Sequence, residues 1–135
     1  MSAPAARRYL REAVAIGVAT GLALGGAALI AGGAWKSWGP AGWLAATAVG
    51  LVAGTALVRY HGSPGWGFVV AMLAGMLTRF VALAAGGVWA AWTGRTAVVA
   101  FVAGFGVGFV PLQVHEAFFL RRDQGTSGLD RKVIG

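Results

Sequence analysis

Apolar residues along this chain fall in four long runs, and strongly polar residues gather in the breaks between them and at the two ends. A helix that crosses a bilayer needs about 20 predominantly apolar residues, with a range of ~17–25. By that measure 13–34, 41–58, 66–92 and 96–120 are predicted transmembrane helices, the second somewhat short. The breaks are brief. Residues 35–40 separate the first two runs, Thr93, Gly94 and Arg95 separate the last two, and Arg59, Tyr60, His61, Gly62, Ser63 and Pro64 stand between the second and third. Gly-Ser-Pro chemistry stops one helix before another starts. Arg7, Arg8 and Arg11 ahead of the first run look like the start of a secretory signal, but that run is longer than a signal's apolar core and reads as a helix that stays. The pattern predicts an all-α integral membrane protein. Its parts are a basic amino terminus (1–12), a four-helix domain of two hairpins (13–120) and a basic polar tail (121–135), mobile in isolation.

The third run contains one charge, Arg79, near its middle. A cation at that depth costs about 2.5–3.5 kcal/mol on insertion scales, so it marks a functional or assembly site. Ala71, Gly75, Thr78, Arg79, Ala82 and Gly86 recur at helical spacing and share a stripe, which turns Arg79 toward protein. The fourth run offers Gln113, His115 and Glu116 as polar partners. With a rise of ~1.5 Å per residue, Arg79 stands on the order of 20 Å from Trp66 and Glu116 about 7 Å from Arg121. That mismatch favours Gln113, or the Val107 carbonyl freed by Pro111, with Glu116 as a looser partner. Snorkelling to lipid phosphate is the alternative.

Glycine supplies 23 residues, many at four-residue spacing: Gly17, Gly21 and Gly25; Ala46, Gly50 and Gly54; Ala100, Gly104 and Gly108. In lipid, helices associate through close backbone approach, which small residues permit. These faces either bind the bundle to itself or offer one face, that of the first helix, to a partner's helix.

Lys and Arg set the orientation. Arg7, Arg8, Arg11, Arg59, Arg121, Arg122, Arg131 and Lys132 lie on one side, against Lys36 and Arg95 on the other, so both termini are expected in the cytoplasm. Trp35, Trp38, Trp43, Trp89 and Trp92 would form an aromatic belt at the outer interface, and Tyr60 and Trp66 mark the inner one. The net charge of +7 on a chain 58% hydrophobic therefore reads as topology and not as a nucleic-acid footprint. With no cysteine, thiol catalysis and thiolate metal sites are excluded. His115 and Glu116 are consecutive on a helix and diverge by roughly 100°, which makes a poor ligand pair. Magnesium held by Glu116 alone would be weak, and no cofactor is expected. Neither a phosphate loop nor a nucleophile elbow occurs, and the chain is not expected to be an enzyme.

This layout resembles the ATP synthase protein I family, small membrane proteins associated with bacterial F-type ATP synthases. The likeness rests on the basic amino terminus, Gly75-Met76-Leu77-Thr78-Arg79-Phe80-Val81 in the third helix, and Gln113 and Glu116 late in the fourth before a basic tail. Some members carry an acid where this chain has Met76. The resemblance implies a bacterial plasma-membrane assembly factor that helps c subunits insert or join the rotor ring, and magnesium uptake is also proposed for the family. The c subunit is then the expected partner, beside membrane lipid. The competing expectations are a cation transporter or channel subunit, and a small accessory subunit of another membrane complex.

Overall fold

Each apolar run seeds a helix, and three of the four helices extend well beyond the run. The computed structural model describes residues 3–61 and 65–134, with side-chain surroundings for 4–61 and 65–122. The helices are α1 (Ala3–Ala31), α2 (Ala34–Tyr60), α3 (Gly67–Thr93) and α4 (Arg95–Ile134), and no strand occurs among the described residues. All four are long and apolar enough to cross a membrane. The expected Gly62-Ser63-Pro64 turn lies outside the described residues.

The basic amino terminus is not a separate segment but the first turns of α1. Ala6, Tyr9 and Ala13 are buried at helical spacing and pack with Val58, Leu112 and Phe119, which draws residues before 13 into the helix. Residues 34–40 likewise belong to α2, because Trp38 packs edge-on against Trp89 and Phe101, with ring centroids 6.2 and 6.4 Å apart. Pro40 lies within that helix. The α1–α2 turn shrinks to Gly32 and Gly33, whose φ of 68° and 58° fall in the left-handed region where only glycine is unstrained. Gly94 alone separates α3 from α4. The tail read as mobile continues α4 as backbone helix to Ile134, since extending a formed helix avoids the cost of nucleation.

In cross-section the bundle is a rhombus. α2 and α4 are the most extensively packed pair, α1 and α3 each touch both of them, and α1 and α3 do not touch each other among the described residues. Leu22, Leu29, Ile30, Val52, Leu77 and Phe80 are exposed on its outside, a surface suited to lipid.

Glycine makes the seams. A methyl at Gly104 would meet the Gly39 carbonyl, one at Gly42 the Phe101 carbonyl, and one at Gly108 the Trp43 carbonyl, so α2 and α4 touch backbone to backbone. Gly50 takes Leu112, Gly54 takes the Tyr9 hydroxyl, and Gly75 faces Ala53. On α1, Gly17 faces Thr47 and Gly21 faces the Trp43 ring, while a methyl at Gly25 would meet nothing within 4 Å. The face of α1 expected to be available to a partner is therefore used by α2 over Gly17 and Gly21. Trp43 is not a belt residue of the interface: its indole Nε1 donates to Thr20 Oγ1 of α1 at 3.2 Å. Gly25→Ala should be neutral or stabilise by up to about 1 kcal/mol through helix propensity. Gly21→Ala should lower stability, and the two unfolding midpoints in detergent test the contrast.

Candidate functional site

The charged residue in the third span is paired inside the protein. Arg79 of α3 donates from a terminal guanidinium nitrogen (Nη2) to Glu116 Oε2 of α4 at 3.0 Å, with side chains 11% and 5% exposed. The guanidinium carbon also lies 5.7 Å from the centre of the Phe109 ring, within cation–π range. Glu116 is thus the direct partner, not the looser one. Counting along the two helices from their ends misjudged the gap, because side chains lean toward the start of their own helix. α3 and α4 run in opposite directions, so Arg79 leans toward the end where α3 begins, and Glu116 leans back toward mid-depth. The two long side chains meet between their backbones. α4 also continues past Arg121, so that residue was a poor measure of depth.

Glu116 has a second neighbour, from α1. The Tyr9 hydroxyl sits within hydrogen-bonding reach of its carboxylate. Tyr9 is 1% exposed; its ring stacks on His115 at 5.3 Å and meets Phe119 edge-on at 5.4 Å. Gly54 provides the space for that hydroxyl, since any side chain there would occupy it. One carboxylate on α4 therefore gathers a phenol from α1 and a guanidinium from α3, the two helices that do not otherwise meet.

His115 turns away from Glu116, as its place in the helix requires. Its Nε2 stands 3.5 Å from Glu12 Oε2, close enough for charge attraction when protonated but outside hydrogen-bond geometry. Arg8 lies over the Phe119 ring at 5.0 Å. Gln113 Oε1 and Arg79 Nε are buried without a hydrogen-bond partner among the described residues, so the expected Arg79–Gln113 bond does not form. On the α3 stripe Gly75 is buried and Ala71, Arg79, Ala82 and Gly86 are partly buried, whereas Thr78 is exposed and donates to the Ala74 carbonyl of its own helix at 2.7 Å.

Sequence reasoning missed Tyr9, Glu12 and Phe109. Tyr9 and Glu12 carried a signal, being polar residues three apart on a helix that also holds buried Ala6 and Ala13. It was obscured by treating the basic segment as a tail.

The site as a whole is balanced in charge and holds three helices together, and its single buried carboxylate is committed to Arg79. Around the pair, α3 is flanked by two clefts. One, of about 680 Å³, lies against α2 and includes Val52, Tyr60, Trp66 and Val70; the other, of about 440 Å³, lies against α4 and includes Phe80, Leu83, Phe105 and Phe109. Comparison of the chain with protein-family models, with curated proteins and with solved structures finds no match.

Proposed function

We propose that this multi-pass membrane protein is a non-enzymatic assembly factor that holds a helix of another membrane protein. Its client, on the resemblance to the ATP synthase protein I family, is the c subunit of a bacterial F-type ATP synthase on its way into the rotor ring. The observation that carries the reading is the poor engagement of α3. Over its most apolar window 11% of α3 is buried, against 22% for α1 and 39% for α2 and for α4. Leu73, Leu77, Phe80, Val81 and Val88 face outward, with an apolar cleft on each flank. A helix held this loosely offers a surface for a further helix, and Arg79–Glu116 anchors it from behind without leaving net charge in the membrane. The client surface is accordingly α3, and not the glycine face of α1. Both termini lie in the cytoplasm of a plasma membrane in this reading, following the distribution of Arg and Lys.

The test is a photo-crosslinking residue placed at Leu77 on α3 or at Val18 on α1, in membranes that contain the synthase. Capture of c subunit from position 77 and not from 18 is expected; capture from neither, with no c subunit co-purifying in mild detergent, sinks the reading. One observation favours cation transport as a second reading: pairing with Glu116 neutralises the charge of Arg79 that would repel a passing cation. Magnesium uptake that depends on this chain in vesicles lacking the synthase would support it.

A further inference from the structure

Beneath the Arg79–Glu116 pair, toward the end where α2 finishes and α3 begins, α2, α3 and α4 border a partly open cavity of about 240 Å³. Ala53 and Leu57 of α2, Phe68, Ala71 and Met72 of α3, and Ala117 and Leu120 of α4 form its walls. Arg79, Gln113 and Glu116 line it as well, so all three polar groups of the pair and its surroundings converge on one space. Two of them bear buried atoms, Arg79 Nε and Gln113 Oε1, with no hydrogen-bond partner among the described residues. One is a donor and the other an acceptor. Unpaired polar groups at membrane depth are costly, and structures remove that cost by lining water-filled space.

We propose that this cavity is an aqueous inlet, a site for several water molecules that enter between Leu57, Phe68 and Leu120 and reach the ion pair. Its volume suits the ligand, since a water occupies roughly 30 Å³ of liquid and needs two to four polar partners. The Arg79 guanidinium offers donors and the Glu116 carboxylate offers acceptors, and the broad terminal torsion of Gln113 lets its amide turn into the space. The mouth adjoins His61, whose ring meets Phe68 edge-on at 5.4 Å. Across the pair the α3–α4 cleft also reaches Arg79 and Gln113, but Glu116 does not border it and Phe80, Leu83, Val102, Phe105 and Phe109 make its other walls apolar, which leaves it the drier side. The ion pair is thus the boundary between a wet side and a drier side, open to water from one membrane face only, whatever client α3 holds.

The chain has no cysteine, so single-cysteine variants carry no background. A thiol reacts as its thiolate, which forms in water and not in lipid, so access is read directly as a rate with a charged, membrane-impermeant methanethiosulfonate on full-length protein in vesicles. Met72→Cys lines this cavity and not the opposite cleft, and Leu73→Cys faces outward one residue away at nearly the same depth. The former is expected to react at least about ten-fold faster, from the His61 side only. Ala71→Trp, which fills the cavity, should bring the two rates together. Should that variant fail to accumulate, Ala117→Cys against Phe118→Cys repeats the comparison from α4. Equal rates within both pairs overturn the inlet, and so does labelling of Leu83→Cys in the opposite cleft as fast as of Met72→Cys.

Discussion

Glu116→Gln is expected to be the most damaging single substitution in the chain, lowering stability by about 3–5 kcal/mol, the range for removing one partner of a buried ion pair. The variant keeps the size of the side chain but leaves the Arg79 guanidinium at membrane depth without its counter-charge, and a guanidinium cannot give up its proton to escape. Arg79→Leu should cost clearly less. The carboxyl it leaves behind can take up a proton and become neutral, and Tyr9 remains beside it. The double variant Arg79→Leu/Glu116→Leu should recover most of the loss, because well-packed apolar residues replace buried pairs at little cost. Reversible unfolding in micelles gives all four stabilities. A double variant no better than Glu116→Gln would show that the pair does more than cancel its own charge, and equal losses in the two single variants would remove the asymmetry argued here.

Gly104→Leu is expected to open the seam between α2 and α4. Overpacking in a core typically costs about 1–3 kcal/mol, and this site should lie at the upper end. The atom in the way is the Gly39 carbonyl, which is backbone and cannot swing aside as a side chain would. Gly42 faces the Phe101 carbonyl in the same seam, so the helices cannot yield at one point and stay closed at the other. Gly106→Leu is the control, on the same helix half a turn away, with nothing within 4 Å of an added methyl. A large drop in unfolding midpoint for Gly104→Leu beside little change for Gly106→Leu is the expected result. Similar midpoints would mean that the seam is not a close backbone contact.

Much of the site was legible in part. That Arg79 faces protein follows from a stripe of small residues, because helical spacing ties each residue to a face whatever the neighbours are. Which polar group it meets did not follow. Gln113 and Glu116 are three residues apart on nearly one face of α4, and the choice between them depends on the tilt of the side chains and the offset of the helices, both products of packing. Glycine behaved likewise. Gly21 and Gly25 look alike in a four-residue repeat, yet one lies under the Trp43 ring and the other faces open space. The residues read as flanking loops were lost to the helices for a related reason. Tyr9 and Trp38 are ordinary interfacial aromatics by type, and only contacts across the bundle make Tyr9 a core residue and pack Trp38 against the core.

By itself the sequence determined that four apolar helices are present and long enough to cross a membrane, that their charges gather at the ends and connections, and that one charge is held back within the third. These are properties of composition and periodicity, set by the transfer of side chains between water and lipid, one helix at a time. The tertiary structure alone decided that α2 and α4 form the centre, that the face of α1 is spent on α2, that Arg79 is answered by Glu116 with Tyr9 beside it, and that a polar-lined cavity lies beneath the pair. In lipid the hydrophobic effect does not choose one helix neighbour over another. That choice falls to backbone approach and to the pairing of a few buried polar groups, neither of which exists until the helices meet.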